Sequence, residues 1–138
     1  MNIEHKNETI QRPEEVAKLM RAVLMTDDEI QREKEHFWVI MVDTRNCVKN
    51  IELVSLGTVN SSLVHPREIF RRAIQEGACS IVIAHNHPSG DTTPSEEDLA
   101  VTKRLVKSGE ILDIKILDHV IINHKDKKFY SLKTEENM

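Results

Sequence analysis

This sequence is poor in cysteine, in basic charge and in long apolar runs. Cys47 and Cys79 are its only cysteines, and they form no CxxC pair, so neither a thiolate zinc site nor a disulfide framework is indicated. The net charge of -4 at pH 7 disfavours a protein whose main task is to coat nucleic acid, since such affinity depends on a basic excess. With this net charge, any contact with nucleic acid would depend on a local basic patch.

Apolar residues do not form long runs either. The longest run, Phe37 to Val42, is far shorter than the roughly 20 residues that span a bilayer. Residues 1–11 are polar and have no apolar core of a signal peptide, so we expect a cytoplasmic protein. A length of 138 residues fits a single domain, with an N-terminal helical segment over 1–34, a core over 35–132 and a tail over 133–138 that we expect to be frayed.

The hydrophobic pattern predicts alternating helices and strands. Apolar residues recur at helical spacing over residues 13 to about 25, 66–76 and 95–107, where Ser108-Gly109 is expected to end the last helix. Short apolar or alternating runs predict strands at 37–42, 48–57, 80–84, 112–116, 120–122 and 129–132. This alternation is typical of an α/β domain with a central sheet flanked by helices.

The most informative stretch follows the strand predicted at 80–84. His85 and His87 are two residues apart, so on an extended backbone both imidazoles project to the same side, with Cα atoms roughly 6.6 Å apart. Asp98 returns later in the chain as a third ligand. Two histidines and a carboxylate leave one tetrahedral position for water, which is how a catalytic zinc site differs from a structural one. The motif therefore indicates hydrolysis.

Ser95 and Asp98 also have a simpler interpretation as a helix start. A serine at the N-cap followed three residues later by an acid forms a capping box, which satisfies free backbone amides. However, Asp98 shares its helix face with Val101, Thr102 and Leu105, so its side chain should face the protein. A buried carboxylate needs a partner, and a metal held by the two histidines is one.

At these residues the sequence resembles the JAMM or MPN+ zinc metalloproteases, and within them the RadC-like proteins of bacteria. The family pattern is a Glu, then His-x-His, seven residues, Ser, two residues and Asp; His85, His87, Ser95 and Asp98 match it in order and spacing. The resemblance covers about residues 35–132. It extends through Gly57-Thr58, residues 65–70, residues 84–90 and residues 117–119.

The resemblance implies a fold and a ligand set. The fold would be an α/β domain with a mixed, curved central sheet between helices, a three-layer arrangement similar to that of cytidine deaminases. His85, His87 and Asp98 would bind Zn2+, with water as the fourth ligand, and Ser95 would donate a hydrogen bond to the developing oxyanion. The reaction implied is hydrolysis of a peptide or isopeptide bond in a peptide or protein substrate.

The resemblance also implies a general base near the start of a strand that precedes the two histidines. Glu35, just ahead of the run at 37–42, is the best placed candidate. Glu33 is the alternative, because its side chain shares a face with that of Glu35 if the strand begins earlier. Without the family pattern, Glu35 would be interpreted as a solvated charge at the start of a strand.

A second hypothesis is a RadC-type binding module, associated with DNA repair, whose metal site is structural or vestigial. The acidic net charge disfavours it, and the intact set of family residues favours catalysis. Full-length RadC-like proteins commonly carry a helix-hairpin-helix region before the catalytic domain, and we expect no DNA contact from that region here. Asn86 stands where eukaryotic JAMM members commonly carry Ser or Thr, which fits the RadC branch and weakens a ubiquitin substrate.

Other zinc hydrolases fit less well. Deaminases need H-x-E with P-C-x-x-C, which is absent, and Ser89 occupies the acid position of the HxHxDH pattern. Among the other histidines, His119 is expected to pack or to support the site. The remaining histidines have no partner at ligand spacing and are expected to be exposed or in turns: His5, His36, His65 and His124.

Overall fold

The structure, a computed structural model, describes residues 8–57 and 64–138. These residues form four helices, α1 (Pro13–Leu24), α2 (Glu29–Arg32), α3 (Pro66–Gln75) and α4 (Glu96–Leu112). They form five strands, β1 (His36–Val42), β2 (Val48–Leu56), β3 (Ser80–Asn86), β4 (Lys115–Ile122) and β5 (Phe129–Ser131). Residues 1–7, which include His5, and Thr58 lie outside the described residues.

The strands form one mixed sheet in the order β2-β1-β3-β4-β5. β1 pairs antiparallel with β2 and with β3, β4 pairs antiparallel with β5, and β3 and β4 run parallel. Helix α4 makes the crossover that a parallel pair requires. The pairing is irregular at Phe37/Trp38, Met41/Val42 and Ile81/Val82, and such bulges bend and twist a sheet. The predicted mixed sheet is confirmed.

Helices cover both faces of this sheet, which gives the three layers expected. Every residue of β1 is buried, and successive side chains of a strand point to opposite faces. Trp38, Ile40 and Val42 pack in the cluster that contains α1. The residues between them, Phe37, Val39 and Met41, pack in the cluster that contains α3 and α4. The continuous apolar run is therefore the sign of a strand buried on two faces.

The junction between α4 and β4 differs from the prediction. The helix passes through Ser108-Gly109 and ends at Leu112, and a single strand β4 replaces the two strands predicted at 112–116 and 120–122. A Cβ atom at Gly109 would lie 2.3 Å from the carbonyl oxygen of Ile114, so this glycine permits a close approach rather than a stop. Asp113, with a left-handed φ of 59°, ends the helix instead.

One smaller expectation was wrong. β3 continues to Asn86 because it pairs with β4 up to Ile122, so His85 lies within the strand and not in the loop after it. The N-terminal segment that was expected to be helical also contains the short helix α2, which begins where Asp28 accepts from the amide of Gln31. The tail is exposed, and the Asn137 backbone amide donates to the Leu132 carbonyl at 2.7 Å.

Both cysteines are free thiols, as expected, with Cys79 exposed and Cys47 partly so. No helix within residues 8–57 and 64–138 combines the length and the apolar character needed to cross a bilayer.

Candidate metal centre

His85 lies in the middle layer of the fold, because its strand β3 is paired on both sides. It sits opposite Phe37 of β1 and Ile121 of β4, and it is 1% exposed. Neither of its ring nitrogens makes a hydrogen bond to any described residue. Burial lowers the pKa of His85 to about 4, against the opposing attraction of Asp98. The ring is therefore neutral at pH 7, the form that binds metals.

His87 follows β3 and is held from both sides. Its Nδ1 lies 2.8 Å from the carbonyl oxygen of Asp91, and its Nε2 lies 2.9 Å from Oδ2 of Asp98. Burial alone would lower the pKa of His87, but the hydrogen bonds to Asp98 and to Asp91 outweigh it and the pKa is raised. A backbone carbonyl bound to one ring nitrogen is the usual way in which a metal-binding histidine is oriented.

Asp98 is 2% exposed in the first turn of α4, so the predicted capping box and the predicted burial of its side chain are confirmed. Its backbone amide donates to Ser95 Oγ at 3.0 Å, and its Oδ2 accepts from the Ser95 amide at 2.9 Å, so the capping box forms. The same carboxylate faces the histidines, with Oδ1 3.3 Å from His85 Nδ1. Burial raises the pKa of Asp98, but the hydrogen bond with His87 and the proximity of His85 lower it by a larger amount, so the pKa is lowered overall. This carboxylate is therefore ionised.

Glu35 directly precedes β1, and its carboxylate approaches His85 on the Nε2 side of the ring, whereas Asp98 approaches the Nδ1 side. Its Oε1 lies 3.8 Å from His85 Nε2, and its side chain is 31% exposed. One ligand atom each from Glu35, His85 and His87 lie within 4.8 Å of one another, so this cluster can hold a metal ion. The carboxylate of Glu33 instead lies 3.2 Å from Nε2 of His124. Of the two acids considered, the structure thus brings Glu35 to the cluster.

The donor set and its burial fit a zinc ion. Imidazole nitrogens and carboxylate oxygens are zinc ligands, and a catalytic site uses three of them. Buried polar atoms are normally hydrogen-bonded, yet both nitrogens of His85 are buried without such a bond to the described residues. A cation placed between His85, His87 and Asp98 would satisfy one of the two His85 nitrogens together with the ionised carboxylate.

Thr102 links His119 to Asp98, a contact that sequence reasoning missed although His119 itself was expected to pack or to support the site. The Thr102 hydroxyl donates to the carbonyl oxygen of Asp98 at 2.8 Å, and its oxygen lies 2.5 Å from His119 Nδ1. Because the hydroxyl has one proton, His119 Nδ1 is the donor in the second bond. Burial, with the proximity of His85, lowers the pKa of His119 to about 3, so the ring is neutral. The sequence signals were Thr102 on the inward stripe of Asp98 and, for His119, the family resemblance at residues 117–119.

The remaining histidines differ in their surroundings. His65 is exposed, as expected. The expectation was wrong for His36, which is buried in β1 with Nε2 2.9 Å from Asp27 Oδ2. His124 lies in the turn between β4 and β5, as expected, with its side chain 14% exposed beside Glu33. Neither the Asp27–His36 contact nor the Glu33–His124 contact follows from a sequence motif, since each joins segments that only the fold brings together.

Comparison with known proteins agrees with this geometry. The RadC-like JAB domain family matches residues 10–138. A UPF0758 protein of Desulforudis audaxviator is 48% identical over 127 residues, which cover 92% of this chain and 52% of that protein. A UPF0758 protein of Desulforamulus reducens is 50% identical over 112 residues, 81% of this chain and 48% of that protein. The chain spans about half the length of these curated relatives. It belongs to the RadC-like JAB domain family.

Proposed function

We propose that this protein is a zinc-dependent metallohydrolase that cleaves a peptide or isopeptide bond. The observation that carries the proposal is the convergence of a partly exposed carboxylate, Glu35, on two histidines that also contact a buried, ionised Asp98. A structural metal site needs only the ligands. An additional acid that remains open to solvent beside them is the feature expected of a general base.

His85, His87 and Asp98 are the proposed zinc ligands. Zinc held by these residues would lower the pKa of a bound water toward neutrality and would polarise the scissile carbonyl. The chain contributes the geometry: β3 fixes His85, the Asp91 carbonyl orients His87, and the Ser95 amide together with α4 fixes Asp98. Each ligand is therefore held by an element of the fold and needs little rearrangement to bind.

Glu35 is the proposed general base. Its carboxylate accepts a proton from the attacking water and passes it to the leaving amine, which requires access both to solvent and to the site. The 31% exposure of its side chain and the 3.8 Å separation from His85 Nε2 meet both requirements. The Glu33 carboxylate lies beside His124 instead, which favours Glu35 over Glu33 for this role.

Ser95 is the proposed oxyanion donor. Its oxygen accepts the capping hydrogen bond from the Asp98 amide, and this leaves the hydroxyl proton available for a second partner. A substrate carbonyl beside the ligands is such a partner, and a donor of this kind stabilises the charge that develops during hydrolysis. The capping role and the catalytic role therefore use different atoms of one hydroxyl.

The test is cleavage of a proteome-derived peptide library, together with peptides joined through lysine isopeptide bonds. Zinc content is measured on every sample, and new N-termini are identified by mass spectrometry. We expect the zinc-loaded protein and Glu33→Gln to give the same products, and Glu35→Gln and the chelated protein to give none under the multiple-turnover conditions of the library digest. The proposal fails if Glu35→Gln yields the wild-type products. Zinc bound at one per chain without any cleavage would favour a structural site, as in the binding-module hypothesis.

A further inference from the structure

Asn86 lies between the two histidines in sequence but does not face the metal centre. Successive side chains of a strand alternate between faces, and Asn86 therefore points away from the side that His85 and His87 share. The residue is fully buried. Its side chain reaches the segment just before β1, residues 32–36, which contains Glu35.

All the hydrogen-bonding groups of this side chain are used on that segment. Oδ1 accepts from the backbone amide of His36. Nδ2 donates to the carbonyl oxygen of Lys34 at 3.1 Å and to that of Arg32 at 3.4 Å. An amide has two donor hydrogens and one acceptor oxygen, so one side chain satisfies three backbone groups.

These bonds hold the backbone immediately before and immediately after Glu35. Lys34 and His36, its two neighbours, are tied to Asn86, and the carbonyl of Glu35 itself accepts from the Gly57 amide at 2.8 Å. The backbone from which the Glu35 carboxylate extends is thus fixed relative to the strand that carries His85. Without the Asn86 bonds, fewer contacts would fix the distance between the Glu35 carboxylate and His85.

We propose that Asn86 is the positioning residue for Glu35: its buried amide fixes residues 32–36 against β3 and so sets the separation between the Glu35 carboxylate and the two histidines. This inference rests on the proposed function of Glu35. Asparagine is specifically required, because aspartate would place a carboxylate against two carbonyl oxygens and serine is too short for three bonds.

The test compares Asn86→Ser with a matched control, Asn50→Ser. Asn50 is also a buried asparagine of the sheet, bonded to the Ile51 amide and to Glu76, but it pairs with Met41 at the opposite end of β1 from Glu35. The probe is a peptide found to be cleaved in the library experiment. Asn86→Asp is the second variant if Asn86→Ser does not fold, since it keeps the acceptor for His36 and nearly the same volume.

We expect Asn86→Ser to lower kcat by about 100-fold, as a displacement of about 1 Å does, with KM nearly unchanged and one zinc per chain retained. Hydrogen exchange in residues 33–36 should accelerate in this variant and not in Asn50→Ser. In single-turnover reactions, adding Asn86→Ser to Glu35→Gln should cause no further loss, because Asn86 acts through Glu35.

Two kinetic results would overturn the inference: a wild-type kcat in Asn86→Ser and Asn86→Asp, or losses that multiply in the double variant, as a separate structural effect would give. Failure of the proposed function is a different result, namely equal cleavage by the wild type and by Glu35→Gln. The exchange measurement requires no turnover, and unchanged protection of residues 33–36 in Asn86→Ser would also overturn the inference.

Discussion

Asp98 shows how one residue can serve a helix and a candidate metal site together. Its amide and one carboxylate oxygen complete the capping box with Ser95, while the carboxylate also faces His85 and His87. Buried charges are stable only with partners, and here the partners come from the end of β3 and the start of α4. The cap accounts for the position of the carboxylate, and the two histidines, with a contribution from the Ser95 amide, keep it ionised.

Replacement of Asp98 by asparagine separates these roles. The asparagine side chain would keep an oxygen for the Ser95 amide but lose the negative charge, so in Asp98→Asn we expect zinc affinity to fall by more than the roughly 10- to 100-fold that loss of an outer partner costs. Competition with a chromophoric chelator measures this affinity. Asp113→Asn is the control, since that exposed carboxylate lies at the opposite end of α4 from Asp98. Equal zinc affinity in Asp98→Asn and the wild type would remove Asp98 from the ligand set.

Ser95 gives a second prediction at this scale. In Ser95→Ala we expect a loss of about 1 kcal/mol of stability from the missing cap, measured by urea unfolding. We also expect kcat to fall by about 10²- to 10³-fold on the folded variant, because an oxyanion donor is removed. Ser108→Ala is the control, since its exposed hydroxyl bonds only within α4. A kcat near the wild-type value would limit Ser95 to capping.

At the scale of elements, the end of α4 depends on backbone clearance. Alanine is normally a better helix former than glycine by about 1 kcal/mol, yet in Gly109→Ala the new Cβ atom would lie 2.3 Å from the Ile114 carbonyl oxygen. We therefore expect this variant to be destabilised by roughly 1 to 3 kcal/mol in thermal or urea unfolding, as overpacking is. A Gly109→Ala protein as stable as the wild type would mean that α4 and β4 do not approach this closely.

Asp113, at the same junction, should respond in the opposite sense. Its φ of 59° is left-handed, which costs an ordinary L-residue about 1 to 2 kcal/mol and glycine almost nothing. In urea unfolding we expect Asp113→Gly to be at least as stable as the wild type and Asp113→Val to be clearly less stable. The Asp113 side chain is exposed, so packing should contribute little to either change. The reverse order of stability would contradict the assigned backbone conformation.

These elements show which parts of the fold the sequence could predict. The run at 37–42 and the start of α4 depend on local patterns, and both were predicted to within a residue. The end of α4 was not, because Gly109 looks like a helix stop until the approach of Ile114 is known. Helix α2 could not be predicted from a local pattern either, because its four residues carry no apolar stripe and have no buried side chain.

At the scale of the whole molecule, the sheet order explains how the candidate site forms. β1, β3 and β4 are adjacent, so the segment before β1, the end of β3 and the start of α4 meet at one edge of the central layer. The histidine and aspartate positions could be predicted because they follow a compact motif. The contacts Asp27–His36 and Thr102–His119 could not, because each joins elements whose pairing depends on tertiary packing.

A metal held between such distant elements should stabilise the whole fold. A ligand that binds only the native state adds about 2.7 kcal/mol at 100 times its Kd, so Zn2+ should raise the Tm of the wild type in a thermal shift measurement. Mg2+ should not, because it prefers oxygen ligands and water. His85→Ala should lose the zinc-dependent rise, whereas His65→Ala, which changes an exposed histidine, should keep it. The same rise in His85→Ala would show that zinc binds elsewhere, and the cluster of Glu35, His85 and His87 would then no longer support a hydrolase.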